Sequence, residues 1–380
     1  MADGRRIREE KRRRFEAKQQ RRAGEGGGKN NARTRWLEQN SAFATVVAEA
    51  DVTPASPLAA LLAPYFDIRK EKSTEAPSSG RRSGRGEEEE EEGQEATRPR
   101  RLFIAEGTET VRLLIQQSGR ARSDGTDALV VISIFSKPSV FFDPPVRLLG
   151  DVEEALARTP ASNEPSPGFH VLVASEAVLS RVAGFPIARG ALACGVVPED
   201  RDEAWLRRFV RERLARDGRV RLLALDGIGD AANLGAMLRC ASAFGVGAVV
   251  LSAACCDAWS RRSVRVSMGH VCRVPIVRVR DLAAEVRALA AARVRAYAAV
   301  LDAARLLADV DRGGVPAAWC CVFGNEGHGI SERVAEACAE RIRIDIADGV
   351  DSLSVPVACG ILLNGLKERE RRPATTCNAN

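Results

Sequence analysis

The stretch DGIGDAANLGAMLRCASAFGVGAVVL, Asp226 to Leu251, decides how this chain folds, and its opening reads in two ways. It follows an apolar run, VRLLAL, that predicts a strand. Gly227, Gly229 and Ala232 fit a dinucleotide-binding turn, in which alanine is permitted at the third position. Such a turn sets a helix N-terminus against pyrophosphate. The carboxylate that would hold the ribose belongs about 20 positions further on. The nearest, Asp257, lies beyond LSAACC and arrives late.

The rest of the stretch predicts a helix. Leu234, Met237, Leu238, Ala241 and Phe244 share one face, which is expected in the core. Arg239 points roughly opposite, a turn and a half beyond Asn233. A surface helix capped by Asn and carrying a solvated Arg would be written with the same letters. No histidine lies near this stretch in the sequence.

Working outward, VRLLALD, GAVVLS, RVPIVRV, RAYAAVL, AWCCVFG and RIRIDI alternate with helical patterns and end in SVPVACGILLNGLKERERR. That alternation predicts a parallel sheet covered on both faces, over residues 219–372. Two of its later loops are unusual. VFGNEGHGISERV carries Gly324, Glu326, Gly327 and Gly329, glycines that let backbone approach a ligand closely. No Lys-Ser or Lys-Thr follows, and Glu326 would repel phosphate, so a cationic or neutral ligand suits this loop better. IDIADGVDSLSVPVACGILL places Leu353 between Ser352 and Ser354, its backbone free for a ligand, ahead of a helix rich in small residues. Each loop alone reads equally well as a capped βα turn. Three of them at strand C-termini in one sheet mark where ligand sites gather in open α/β folds.

Ahead of this unit, LFIAEG, ALVVISIF, FHVLVASEAVLSRVAG and ALACGVV predict a small α/β domain over residues 98–198. EDRDEAWLRRFVRERLARDG predicts a helical connector over 199–218. Residues 1–97 are polar and charged, and are expected to form a mostly disordered extension. Two exceptions stand out there: a charged helix in RRIREEKRRRFEAKQQRRA, and a short amphipathic turn, SPLAALLAPYF, docked on the body. PATTCNAN, 373–380, reads as a tail.

The composition narrows the partners. Of 380 residues 45% are hydrophobic, and the formal net charge is +6, with arginine dominating the cations of the folded part. Arginine suits phosphate because its planar fork engages two oxygens; a GC-rich genome would enrich it equally. Ten cysteines without a CxxC, and only three histidines, argue against a metal site. Free thiols point to a reducing intracellular compartment, the cytoplasm first, with mitochondrion or nucleolus as alternatives. No apolar run is long enough to predict a membrane span.

The three loops, in this order and spacing, resemble the motifs of the SpoU/TrmH class of SPOUT RNA ribose 2′-O-methyltransferases. DGIGDAANLGAMLRCASAFGVGAVVL is similar to the first motif, VFGNEGHGIS to the second and IDIADGVDSLSVPVACGILL to the third. SVRVSMGHVCRVPIVR matches the stretch between the first two, and residues from RLFIAEGTETVRLLI to GFPIARGALACG resemble the family's small ribosomal-protein-like substrate-binding domain. The resemblance implies an α/β chain with a trefoil-knotted parallel-sheet catalytic domain, S-adenosylmethionine as cofactor, RNA as substrate and a homodimer. It implies that Asn233 and Arg239 are the catalytic pair, with Glu326, Ser352 and Ser354 in the site. Backbone around Gly324, Ile344 and Leu353 would hold the cofactor. Arg261, Arg262 and Arg265 form a compact basic group expected to bind RNA phosphates; solvated helix charges would look the same.

One departure stands out. The family's third motif reads Ser-Leu-Asn, and here Ser354 replaces the amide, losing its reach and its second polar group. The expected activity is methylation of a ribose 2′-hydroxyl, with ribosomal RNA ranked ahead of transfer RNA. Ser354 keeps a second reading open, a non-catalytic RNA-binding assembly factor with the same fold. A Rossmann oxidoreductase is the remote third.

Overall fold

Two sheets organise the chain in the computed structural model, which describes residues 33–41, 44–53, 55–66, 68, 101–120, 129–144, 147–158, 169–187, 190–303, 305–310 and 314–370. The first contains β1 (Ala44–Val47), β2 (Leu102–Glu106), β3 (Val131–Ser136), β4 (His170–Ala174) and β5 (Ala191–Val196), in the order β1-β4-β3-β5-β2. Its first three members in that order run parallel, and β5 is antiparallel to both neighbours. Helix Thr108–Gln117 covers one face with Val111, Leu114 and Ile115, all fully buried at helical spacing.

The second sheet holds β6 (Val220–Asp226), β7 (Ala248–Ser252), β8 (Ile276–Val279), β9 (Arg295–Ala299), β10 (Arg305–Leu306), β11 (Ala318–Gly324) and β12 (Glu340–Arg343). Its order is β10-β12-β9-β11-β6-β7-β8, parallel throughout. Side chains alternate across it, as strand geometry requires. Leu223 and Leu225 of β6 pack on one side with Leu234, Met237 and Leu238 of helix Ala231–Phe244 and Leu362 of helix Val355–Arg369. Leu222 and Ala224 pack on the other, against Trp205, Leu206, Phe209 and Val210 of helix Glu203–Asp217. Both faces are therefore covered, which is why the strands read as near-continuous apolar runs. The expected parallel α/β sheet is present.

Part of the N-terminal extension is built into the body, including the short turn expected to dock there. β1 adds a strand beside β4, and SPLAALLAPYF docks with Leu62 and Tyr65 fully buried, Tyr65 Oη lying 2.7 Å from Ser133 Oγ. A few apolar residues on a ready-made sheet edge suffice for this, and average composition conceals them. The stretch 199–218 forms the expected helix, Glu203–Asp217. Its apolar residues Trp205, Leu206, Phe209 and Val210 form a layer of the second core. The charged helix expected in RRIREEKRRRFEAKQQRRA and the tail 373–380 lie outside the described residues.

The sheets meet where β2 packs against helix Arg261–Val266. Phe103 and Trp259 touch with ring centroids 4.9 Å apart, and Arg101 donates to Asp257 at 2.6 Å.

Candidate active site

The site begins in the turn after β6. Gly227 takes a left-handed φ of 71°, which favours glycine. Its N–H donates to Ser252 Oγ at 2.9 Å, and its carbonyl accepts from Asn325 Nδ2 at 2.7 Å. Asp230 then caps helix Ala231–Phe244, its Oδ1 accepting from Ala232 N at 2.8 Å. The cap is Asp230, not Asn233, which leaves the Asn233 amide free for other work.

That amide is bound by Glu326. Asn233 Nδ2 donates to Glu326 Oε1 at 3.0 Å, while the N–H groups of Gly229 and Asp230 donate to the same carboxylate at 3.1 and 3.2 Å. Burial pushes the Glu326 carboxyl up, but these donors together with its own backbone N–H outweigh it and hold it below its ordinary value. The turn that resembles a pyrophosphate cradle thus already holds a carboxylate from within the chain. The dinucleotide reading fails here, because the N–H groups it needs are spent.

The loop after β11 is fastened on both sides. Asn325 Oδ1 accepts from Gly327 N at 2.9 Å and His328 N at 3.2 Å. Asp226 Oδ2, at the end of β6, accepts from Ser331 N at 2.9 Å and Ser331 Oγ at 2.6 Å. Gly324 was expected to let backbone approach a ligand. A Cβ at that position would lie 1.9 Å from the carbonyl carbon of Gly329, so the close approach is the loop's own backbone folding back. Neither Asn325 nor the Asp226–Ser331 pair was singled out from the sequence, since their roles appear only when the two turns sit side by side.

Against this loop opens a cavity of about 480 Å³, within the range of small-molecule sites. Gly324, Glu326, Ile344, Ser352 and Leu353, five of the expected site residues, line it together. Phe323, Ile342, Ala358 and Leu362 supply apolar wall, and the loops at 299–302 and 324–330 supply backbone polar groups. Asn233 reaches its edge through Glu326.

Other expected residues stand elsewhere. Arg239 is exposed on its helix and does not line the cavity. Ser354 is the N-cap residue of helix Val355–Arg369, its carbonyl accepting from Val357 N and Ala358 N, while its hydroxyl caps nothing. Arg261 and Arg265 are committed within the protein. Both approach Glu106 of β2, at 3.3 and 3.6 Å, and Arg261 also donates to the Ile68 carbonyl and lies over the Phe185 ring. They bracket the two sheets, and Arg265 remains 51% exposed. Arg262 alone of the three is largely open, 3.7 Å from Asp230 and 68% exposed. A histidine does approach the first motif through space, since His270 Nδ1 lies 2.8 Å from Ser242 Oγ.

The model of the SpoU rRNA Methylase family matches residues 221–364. The chain is 34% identical over 194 residues to the uncharacterized tRNA/rRNA methyltransferase Rv0881 of Mycobacterium tuberculosis, a match covering 50% of this chain and 62% of that relative. It therefore spans less than two thirds of that relative's length. It is 32% identical over 176 residues to the 23S rRNA (guanosine-2'-O-)-methyltransferase RlmB of Coxiella burnetii, covering 46% of this chain and 68% of the relative. The AdoMet-bound rRNA methyltransferase of Sinorhizobium meliloti shares the fold, with a TM-score of 0.52 at 24% identity over 70% of this chain and 87% of the other.

Proposed function

Because the chain belongs to the SpoU rRNA methylase family, we propose that it transfers a methyl group from S-adenosylmethionine to a ribose 2′-hydroxyl of ribosomal RNA. One observation carries this reading: residues of the second and third motifs line the cavity, and Glu326 of its lining hydrogen-bonds Asn233 of the first.

The residues present fit the cofactor. A sulfonium is cationic, and Glu326, kept ionised by its donors, gives the cavity an anionic rim. Phe323, Ile342, Ile344 and Leu353 of its lining suit an adenine, which backbone around Gly324, Ile344 and Leu353 would hold in this reading. When bound, S-adenosylmethionine supplies an electrophilic methyl group. The chain's task is then positioning, which can supply much of the acceleration for an in-line transfer. Asn233, fixed by Glu326, orients the reacting ribose. Arg239 either takes up the hydroxyl proton or stands as a fixed cation beside the forming alkoxide.

The same reading includes a homodimer, supported by Val357 and Ile361, one turn apart on helix Val355–Arg369 and 50% and 40% exposed. It includes the trefoil knot. Support comes from β11 lying between β9 and β6, and from the return of the chain after β12 to pack helix Val355–Arg369 on helix Ala231–Phe244. The first sheet, with residues 98–198, is the RNA-binding domain of the proposal, followed by the catalytic domain 219–372. A reducing compartment, the cytoplasm ahead of mitochondrion or nucleolus, completes it.

Ser354 favours a second reading, an RNA-binding assembly factor without turnover, because its exposed hydroxyl does not replace an amide. Incubation with methyl-labelled S-adenosylmethionine and total ribosomal RNA separates the two. Label in alkali-resistant dinucleotides is expected; cofactor and RNA binding without transfer would establish the second reading.

A further inference from the structure

Helix Ala231–Phe244 carries Arg239 and Ser242 three residues apart, and so on one face. Ser242 Oγ lies 2.8 Å from His270 Nδ1. His270 opens the single turn His270–Cys272, and Arg273 closes it, its N–H donating to the His270 carbonyl at 2.9 Å. Arg239 and Arg273 are both exposed, and among the described residues neither has a carboxylate partner within ion-pair distance. Their surroundings make this unusual. The elements packed against the turn are the helices Ala231–Phe244, Arg261–Val266 and Thr108–Gln117. On the second, Arg261 and Arg265 approach Glu106 and Arg262 approaches Asp230. On the third, Arg112 pairs with Glu109 and Asp151. Arg239 and Arg273, both close enough to act electrostatically on His270, are left without an acid.

We propose that Arg239, His270 and Arg273 form a binding site for a phosphodiester of the RNA backbone. The site lies at the junction of the two sheets, where a Cβ added at Gly269 would lie only 3.3 Å from the Thr110 carbonyl and the Leu113 side chain of the first domain. It rests on the reading of RNA as substrate, and adds which groups take the backbone beside the reacting ribose. Two guanidiniums offer paired N–H donors to phosphate oxygens. Ser242 Oγ occupies Nδ1, so the free ring atom of His270 is Nε2, and a phosphate there favours the protonated imidazolium, in which both ring nitrogens donate. In the free protein the opposite holds: burial, then Arg273 and Arg239, push the imidazole below its ordinary 6.5. RNA binding therefore takes up a proton on His270, and affinity rises as pH falls from 8 to 6.

The test uses the full chain and a fluorescein-labelled oligouridylate, because backbone contacts do not depend on sequence. Arg273→Gln is expected to weaken binding about three- to tenfold and to reduce the slope of log affinity against log salt by roughly 0.7. His270→Gln is expected to abolish the extra affinity gained between pH 8 and pH 6. The chain has only three histidines, so the imidazole titration is readable by NMR. The resonance missing in His270→Gln should titrate at higher pH once oligouridylate is added. An unchanged His270 titration, or an unchanged salt slope in Arg273→Gln, overturns the site while wild-type binding leaves the RNA reading standing. If wild-type protein binds no oligouridylate at all, both fall.

Discussion

Glu326 and Asn233, 93 positions apart in the chain, are joined by a 3.0 Å hydrogen bond that ties the loop after β11 to the first turn of the helix after β6. The same carboxylate accepts from Gly229 and Asp230, so a single side chain fixes the geometry of the first motif.

Removing that carboxylate is expected to misplace Asn233 rather than unfold the protein. Misplacement on the order of 1 Å can cost about a hundredfold in rate, so Glu326→Ala and Asn233→Ala should each lose methyl transfer by roughly that factor. The double variant should be little worse than either, since the residues act as a unit. Single-turnover rates check this; multiplying losses would mean that the two act independently.

Gly324 has no room for a side chain. Its Cβ would collide with Gly329, whereas one at Gly327 would meet only Asn325 Oδ1, at 3.6 Å. Gly324→Ala should destabilise the protein by about 3 kcal/mol or more, since the obstruction is backbone. Gly327→Ala should stay within roughly 0.5 kcal/mol. Denaturant unfolding of both variants decides it.

Glu370 closes the C-terminal helix onto the sheet. Its carboxylate, 3% exposed, accepts from Arg221 Nε at 2.7 Å and Trp319 Nε1 at 3.0 Å, and Arg219 adds an ion pair at 2.6 Å. Glu370→Ala strands these donors, and removing one partner of a buried pair typically costs about 3–5 kcal/mol. A drop in unfolding free energy well below 1 kcal/mol would show that water replaces the carboxylate.

Cys240, next to Arg239, is the thiol to label first. The Cys359 thiol hydrogen-bonded to it lowers its pKa to about 7 against the opposing effect of burial, and Arg239 assists. Burial pushes Cys194, Cys256 and Cys338 up to about 12. The thiolate is the nucleophile, so iodoacetamide labelling of Cys240 should rise as pH climbs through 7. Peptide mapping at pH 7 should find Cys240 ahead of those three, and Cys359→Ala should shift its profile upward. Equal labelling of all four would refute the assignment.

Much of the site was legible in the sequence because strands and helices have fixed periods. The buried face Leu234, Met237, Leu238 and Ala241 follows from helical spacing, and the loops holding Gly324 and Leu353 follow from the strand ends that precede them. The approach of Arg261 and Arg265 to Glu106 was not legible, because Glu106, 155 or more positions earlier, carries no local sign of meeting them. β1 was missed for a related reason: its four residues gain stability only from an edge that β4 provides.

The sequence by itself determined the alternation of elements, the faces they bury and the three loops that carry chemistry, since each depends on near neighbours along the chain. Only the tertiary structure decided which polar groups are spent on one another. It filled the glycine turn with Glu326 and committed Arg261 and Arg265 to Glu106. It also left Arg239 and Arg273 beside His270 without an acid. Hydrogen bonds and ion pairs act over a few ångströms, and across residues far apart in sequence only the folded chain sets those distances.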